Sequence, residues 1–140
     1  MSKVAIVFWS ATGNTETMAN CIAEGAGANG TIVSCGEMTP AKLAEFDVVA
    51  FGCPAMGAEQ LEESEFEPMF AALEGSLNGK KIALFGSYGW GDGQWMRDWA
   101  QRAQDDGAQL FSEEGLICNE TPDDDVQAAC RKLGADLVAW

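Results

Sequence analysis

Ser10-Ala11-Thr12-Gly13-Asn14-Thr15 is the stretch of this chain best equipped for chemistry. It sets three hydroxyls and one side-chain amide directly behind the apolar run Val4–Trp9. Read as strand, tight turn and a helix beginning near Asn14 or Thr15, it gathers donors around one point. The first N–H groups of a helix have no intrahelical partner and carry partial positive charge, so a helix start attracts an anion. Gly13 lets the backbone come close. The loop contains no Lys or Arg, which suits a phosphate held by neutral donors rather than one being transferred. Thr and Asn are also common at the start of an ordinary capped helix, so these six residues alone leave both readings open. Neither a Gly-Lys-Ser/Thr triphosphate loop nor a dinucleotide Gly-x-Gly-x-x-Gly is present here.

Two further loops carry unusual chemistry. Cys53-Pro54-Ala55-Met56-Gly57-Ala58-Glu59 offers Met56, soft and polarizable enough to lie on an aromatic face, and Gly57, which permits a turn with more than one peptide orientation. Gly86-Ser87-Tyr88-Gly89-Trp90-Gly91-Asp92-Gly93 brackets a Tyr and a Trp with glycines. Aromatics presented in this way form walls for a planar ligand, although a Trp that simply anchors its own loop would look the same. A ligand with phosphate at one end and a flat ring at the other satisfies all three loops, and flavin mononucleotide (FMN) fits that description.

These loops must be held by regular elements. Strands are expected at Val4–Trp9, Thr31–Cys35, Phe46–Gly52, Lys81–Gly86 and Leu110–Cys118, several of them continuous apolar runs typical of parallel strands covered on both faces. Helices are expected at Asn14–Gly27, Pro40–Ala44, Ser64–Glu74, Gln94–Asp106 and Pro122–Val138. Thr121 caps the last of these, and Val126, Cys130, Leu133 and Leu137 form its apolar stripe. Alternating strands and helices make an α/β fold with a doubly wound parallel sheet, whose ligands lie beyond the carboxyl ends of the strands. All three loops follow strands.

The 140 residues suit one domain, 1–140, with a real core. No apolar run is long enough to span a membrane, and Met-Ser-Lys enters a strand without a signal-peptide layout, so the cytoplasm is expected. Five scattered cysteines and no histidine argue against a zinc or iron–sulfur site and against a His-based nucleophile pair, and the cysteines read as reduced and mostly buried. A net charge of −14 argues against nucleic acid and anionic membranes. No Lys or Arg interrupts the chain between Lys42 and Lys80, where Glu59, Glu62, Glu63, Glu65, Glu67 and Glu74 fall. That run reads as a solvated surface or as a docking face for a basic partner.

Ser10-x-Thr12-Gly13-Asn14-Thr15, Pro54-Ala55-Met56-Gly57 and Phe85-Gly86-Ser87-Tyr88-Gly89-Trp90-Gly91-Asp92-Gly93 resemble the three FMN loops of flavodoxins. Length, strand pattern and the lack of a long insertion in strand five resemble the short-chain, clostridial-type branch. The resemblance covers essentially the whole chain. It implies a three-layer sandwich around a five-stranded parallel sheet in order 2-1-3-4-5, with FMN where this fold is already known to place it. Ser10, Ala11, Thr12, Gly13, Asn14 and Thr15 would then hold the phosphate. Met56 and Trp90 would flank the isoalloxazine, Glu59 would accept from N3–H, and the Gly57 carbonyl would accept from N5–H in the neutral semiquinone. Pro54, Ala55 and Ala58, with Ser87, Tyr88, Gly89, Gly91, Asp92 and Gly93, would complete the ring loops. Trp9 and Asn119 would reach the ribityl or ring periphery. Ala58 departs from relatives that carry a polar or acidic residue there.

The resemblance implies a low-potential one-electron carrier that shuttles non-covalently bound FMN between semiquinone and hydroquinone, and not an enzyme. Its partners would be ferredoxin-type redox proteins with basic docking faces, met by a monomer. The competing reading is an FMN-dependent NAD(P)H:quinone or azo reductase on the same fold. A phosphoacceptor receiver domain shares the topology, but its acidic positions are here Ser10 and Cys53-Pro54.

Overall fold

The apolar runs assemble into one parallel sheet in a computed structural model that describes residues 1–140. The strands are β1 (Val4–Phe8), β2 (Gly30–Ile32), β3 (Val48–Gly52), β4 (Lys81–Tyr88), β5 (Gln109–Leu110) and β6 (Leu116–Asn119). The helices are α1 (Asn14–Ala26), α2 (Pro40–Leu43), α3 (Phe66–Leu73), α4 (Gln94–Asp105) and α5 (Asp124–Ala139). The sheet order is β2-β1-β3-β4-β5, with β6 also paired to β4, and every ladder is parallel. This is the expected 2-1-3-4-5 order, with the fifth position split between β5 and β6.

Successive strand residues point to opposite faces, and each face has its own core. Val7, Val49 and Phe51 face α3 and α4, where Phe66, Phe70 and Trp99 pack edge to face or stacked. Val4, Ile6 and Phe85 face α1 and α5, against Met18, Ile22, Cys130 and Leu137. The α1–α5 contact is close enough that a side chain at Gly134 would lie 2.0 Å from the Ile22 carbonyl oxygen. Cys21, Cys53, Cys118 and Cys130 are buried, Cys35 is half-buried, and all five are free. No helix is long and apolar enough to cross a membrane.

Several expected bounds need correction, and the strand expected at Thr31–Cys35 ends at Ile32. Leu110–Cys118 is not one strand: Phe111 to Gly115 intervene between β5 and β6 while only Ala83 and Leu84 intervene opposite them on β4. The extra residues bulge out at the sheet edge and leave the Glu113 and Glu114 side chains in water. β4 runs on to Tyr88 because β6 pairs with it there. α3 starts at Phe66, with Glu65 before it at φ −127° and the Glu62 carboxylate accepting from the amides of Ser64, Glu65 and Phe66. α5 is capped by Asp123, whose side chain accepts from Val126 N at 2.9 Å, so Thr121 and Pro122 lie outside the helix.

Candidate functional site

The site lies at the carboxyl ends of β1, β3 and β4. α1 begins at Gly13, which sits at φ +95° and provides no side-chain cap. Its first amides are therefore not satisfied by the residue that opens the helix. Ser10 Oγ accepts instead from Gly13 N at 3.1 Å and Glu16 N at 3.3 Å. Ala11 and Thr12 are exposed and Asn14 is half-buried, while Thr15 is buried with its hydroxyl 2.9 Å from that of Ser87. That pair fastens the first loop to the end of β4. The helix start is thus capped from Ser10, three residues before Gly13, and not by Gly13 itself.

The second loop is a closed tongue. Met56 and Gln60 exchange two backbone hydrogen bonds of 2.8 Å, which leaves Gly57, Ala58 and Glu59 as the tip. Gly57 stands at φ +53° and Glu59 at φ +55°, the latter in a region unusual for a residue with a side chain. Glu59 Oε1 is buried without any hydrogen-bond partner. It lies where a side chain on Gly91 would come within 2.5 Å of it, so the second and third loops meet at an acceptor that lacks a donor.

In the third loop Tyr88 packs on Trp95 with ring centroids 5.4 Å apart, and its carbonyl accepts from Asn119 Nδ2 and Glu120 N. Gly93 opens α4 at φ +94°. Asp92 is bonded at 2.9 Å by Arg97, the one cation that reaches any of the three loops, and it comes from the following helix. Trp90 is 68% exposed, because the Gly-rich loop packs it against nothing within the protein.

A cavity of about 290 Å³ joins the loops. Ser10, Ala11, Thr12, Asn14 and Thr15 line it from the first loop, Pro54, Ala55 and Met56 from the second, and Ser87, Tyr88 and Gly89 from the third. Gly13, Gly57, Ala58, Glu59, Trp90, Gly91, Asp92, Gly93 and Asn119 do not line this cavity. Glu120 also lines it, at φ +58°, and was not foreseen. Nothing in Asn119-Glu120 as letters signals a left-handed glutamate. A slightly larger cavity, about 320 Å³, lies between the β5–β6 bulge and α5, away from every loop of the site. Size therefore does not pick out the site; converging polar groups do.

The acidic run divides into three environments. Glu63 and Glu65 are exposed, and Glu65 accepts from Trp9 Nε1 at 2.9 Å. Glu67 and Glu74 are both bonded to Arg102 at 2.7 Å, so neither is a free docking charge. Glu62 is only 6% exposed. Its burial pushes the carboxyl up, but hydrogen bonds from Ser64, Phe66 and Glu65 outweigh this and hold it down at about 2. Burial raises the Cys53 thiol to about 12 and the Cys35 thiol to about 11, so neither supplies a thiolate.

The family model described as flavodoxin matches residues 6–133. A flavodoxin of Megasphaera elsdenii is 48% identical over 134 residues, covering 94% of this chain and 95% of its own. A flavodoxin of Clostridium beijerinckii is 42% identical over 136 residues, covering 95% and 97%. The solution structure of the two-electron reduced Megasphaera elsdenii flavodoxin superposes with a TM-score of 0.84 at 44% identity, covering 98% of this chain and 99% of that one.

Proposed function

The chain belongs to the flavodoxin family, whose members carry electrons on bound FMN, and we propose that it is a low-potential one-electron carrier. In this reading residues 1–140 act as one FMN-binding domain. The flavin supplies the redox chemistry when bound, exchanging one electron at a time between its half-reduced and fully reduced levels. The protein supplies position and field.

The observation that carries this reading is the unpartnered, buried Glu59 Oε1 where the second and third loops meet. A buried acceptor without a donor is costly, and a ring N–H placed there would satisfy it. At the other end of the site, Thr12, Asn14 and the first amides of α1 would hold the phosphate, with Ser10 released from its own loop to join them. Thr15 contributes through its buried bond to Ser87 as well as through its amide. Met56 and Trp90 would flank the ring, so the exposed indole gains a packing partner when flavin binds. The Gly57 carbonyl would accept from N5–H, which a glycine at φ +53° can do by turning its peptide at little steric cost.

Glu59 and the lack of any cation within the loops disfavour added negative charge on the ring, which lowers the second reduction step. Arg97 tempers this only through an exposed pair with Asp92. Glu63 and Glu65 remain as free charges beside the ring loop for a ferredoxin-type partner with a basic face, met by a cytoplasmic monomer.

The test is an anaerobic spectral titration of the purified protein with its cofactor extracted and identified. FMN with two resolved one-electron steps, the second at low potential, is the expected result. Rapid two-electron reduction by NAD(P)H alone would instead make it a reductase, and a colourless protein that FMN cannot reconstitute would end the flavin reading.

A further inference from the structure

We propose that Glu62 is a positioning residue for the ring loop, acting as a built-in anion at the start of α3. Its consequence for flavin rests on the function proposed above, while its geometry stands without it. The carboxylate is 6% exposed and has no cation partner. Oε1 accepts from Glu65 N at 2.8 Å and Phe66 N at 3.0 Å, and Oε2 accepts from Ser64 N at 2.8 Å and from the Ser64 hydroxyl. These donors include the amides that a helix start leaves orphaned, so the negative charge is held by dipoles alone.

The backbone of the same residue closes the neck of the loop. Glu62 N donates to Cys53 Sγ at 3.3 Å, and its carbonyl accepts from Glu67 N at 2.8 Å. Cys53 is in turn fixed by Trp95 Nε1, which donates to its carbonyl at 3.2 Å. The tongue therefore leaves β3 at Cys53 and returns at Glu62 with both ends tied to one another and to α3 and α4. Above this neck the Met56–Gln60 bridge leaves only the tip to be placed. The position of Gly57 and Glu59 is thus inherited from a neck that Glu62 anchors to α3. Its neighbours Glu63 and Glu65 are exposed and contribute charge without this anchorage.

Glu62→Gln tests the idea, because the amide turns an N–H₂ toward amide donors, and Glu63→Gln removes the same charge one residue along. In the flavin-free protein, Glu62→Gln should speed hydrogen exchange at Ser64, Glu65, Phe66 and Gln60 at least tenfold, with β1 and β3 amides unchanged. It should weaken riboflavin and FMN at least tenfold, while Glu63→Gln shifts both less than twofold. Binding of inorganic phosphate to the flavin-free protein should stay within twofold of wild type, whereas a merely structural role would weaken phosphate and ring alike. Equal effects of the two Gln variants on riboflavin, or a matching loss of phosphate binding, would overturn the proposal. If Glu62→Gln does not fold, Ser64→Ala removes one of the four bonds and keeps the charge. It should weaken riboflavin two- to fivefold, and no change would overturn the proposal equally. A wild-type protein that binds neither flavin would sink the proposed function, yet the exchange comparison would still decide the role of Glu62.

Discussion

The N-termini of α1 and α3 present the same physics with opposite outcomes. Each offers free amides and the positive end of a helix dipole. At α3 the chain fills that position with its own carboxylate, Glu62, bound by four hydrogen bonds. At α1 the helix opens on Gly13, which has no side chain to fill it, and only the neutral Ser10 hydroxyl stands in. Burial pushes the Glu62 carboxyl up, but the Ser64 hydroxyl first, and then the Phe66, Glu65 and Ser64 amides, hold it down at about 2. α1 has no capping carboxylate, although Glu16 stands in its first turn. α5, closed by Asp123 with Asp124 and Asp125 in its first turn, follows the pattern of α3.

The largest effect is expected from giving α1 what α3 already has. Gly13→Asp places a carboxylate at the helix start and strains a backbone at φ +95°. FMN affinity should fall at least ~100-fold, about 2.7 kcal/mol, while riboflavin affinity changes far less. Fluorescence quenching titrations measure both, and an equal loss of the two ligands would break the comparison.

The next largest effect comes from titrating the internal anion at α3. The folded pKa of Glu62 lies below its ordinary value of 4.5, so its contribution is complete above that pH and is lost as pH falls toward about 2. After solvent screening the loss should be on the order of 2 kcal/mol. Urea unfolding of wild type and Glu62→Gln between pH 6 and pH 2.5 should give curves that converge on acidification, and parallel curves would contradict the assignment.

Asp123→Ala opens α5 without touching the site. It should cost about 1 kcal/mol of stability and lower the melting temperature by roughly 3 °C, with FMN affinity unchanged. The smallest effect belongs to Arg97→Ala. Its pair with Asp92 is solvent-exposed, so stability should change by less than about 0.5 kcal/mol in urea titration. A larger loss would mean that the third loop depends on a cation after all.

Much of the fold could be read before the structure because strand and helix periods are local. The apolar runs, the stripe of α4 at Trp95, Trp99 and Ala103, and the Gly- and hydroxyl-rich tracts behind three strands are properties of neighbouring residues. The β5–β6 bulge did have a local signal, since Ser112-Glu113-Glu114-Gly115 breaks the apolar run between Leu110 and Leu116. Trp90 illustrates a limit. Its type suggested a wall, and its loop leaves it 68% exposed, because a wall needs something to enclose.

The amino-acid sequence by itself determined the order of elements, the strand ends at which loops rich in donors and aromatics would gather, and the absence of cations in those loops. Only the tertiary structure decided that Thr15 meets Ser87, that Glu59 reaches the space beside Gly91, and that one glutamate of Glu62-Glu63-Ser64-Glu65 is buried while its neighbours face water. Secondary structure follows from residues a few positions apart. Burial and partnership depend on which distant segments the sheet brings together, and identical side chains acquire different chemistry from that arrangement alone.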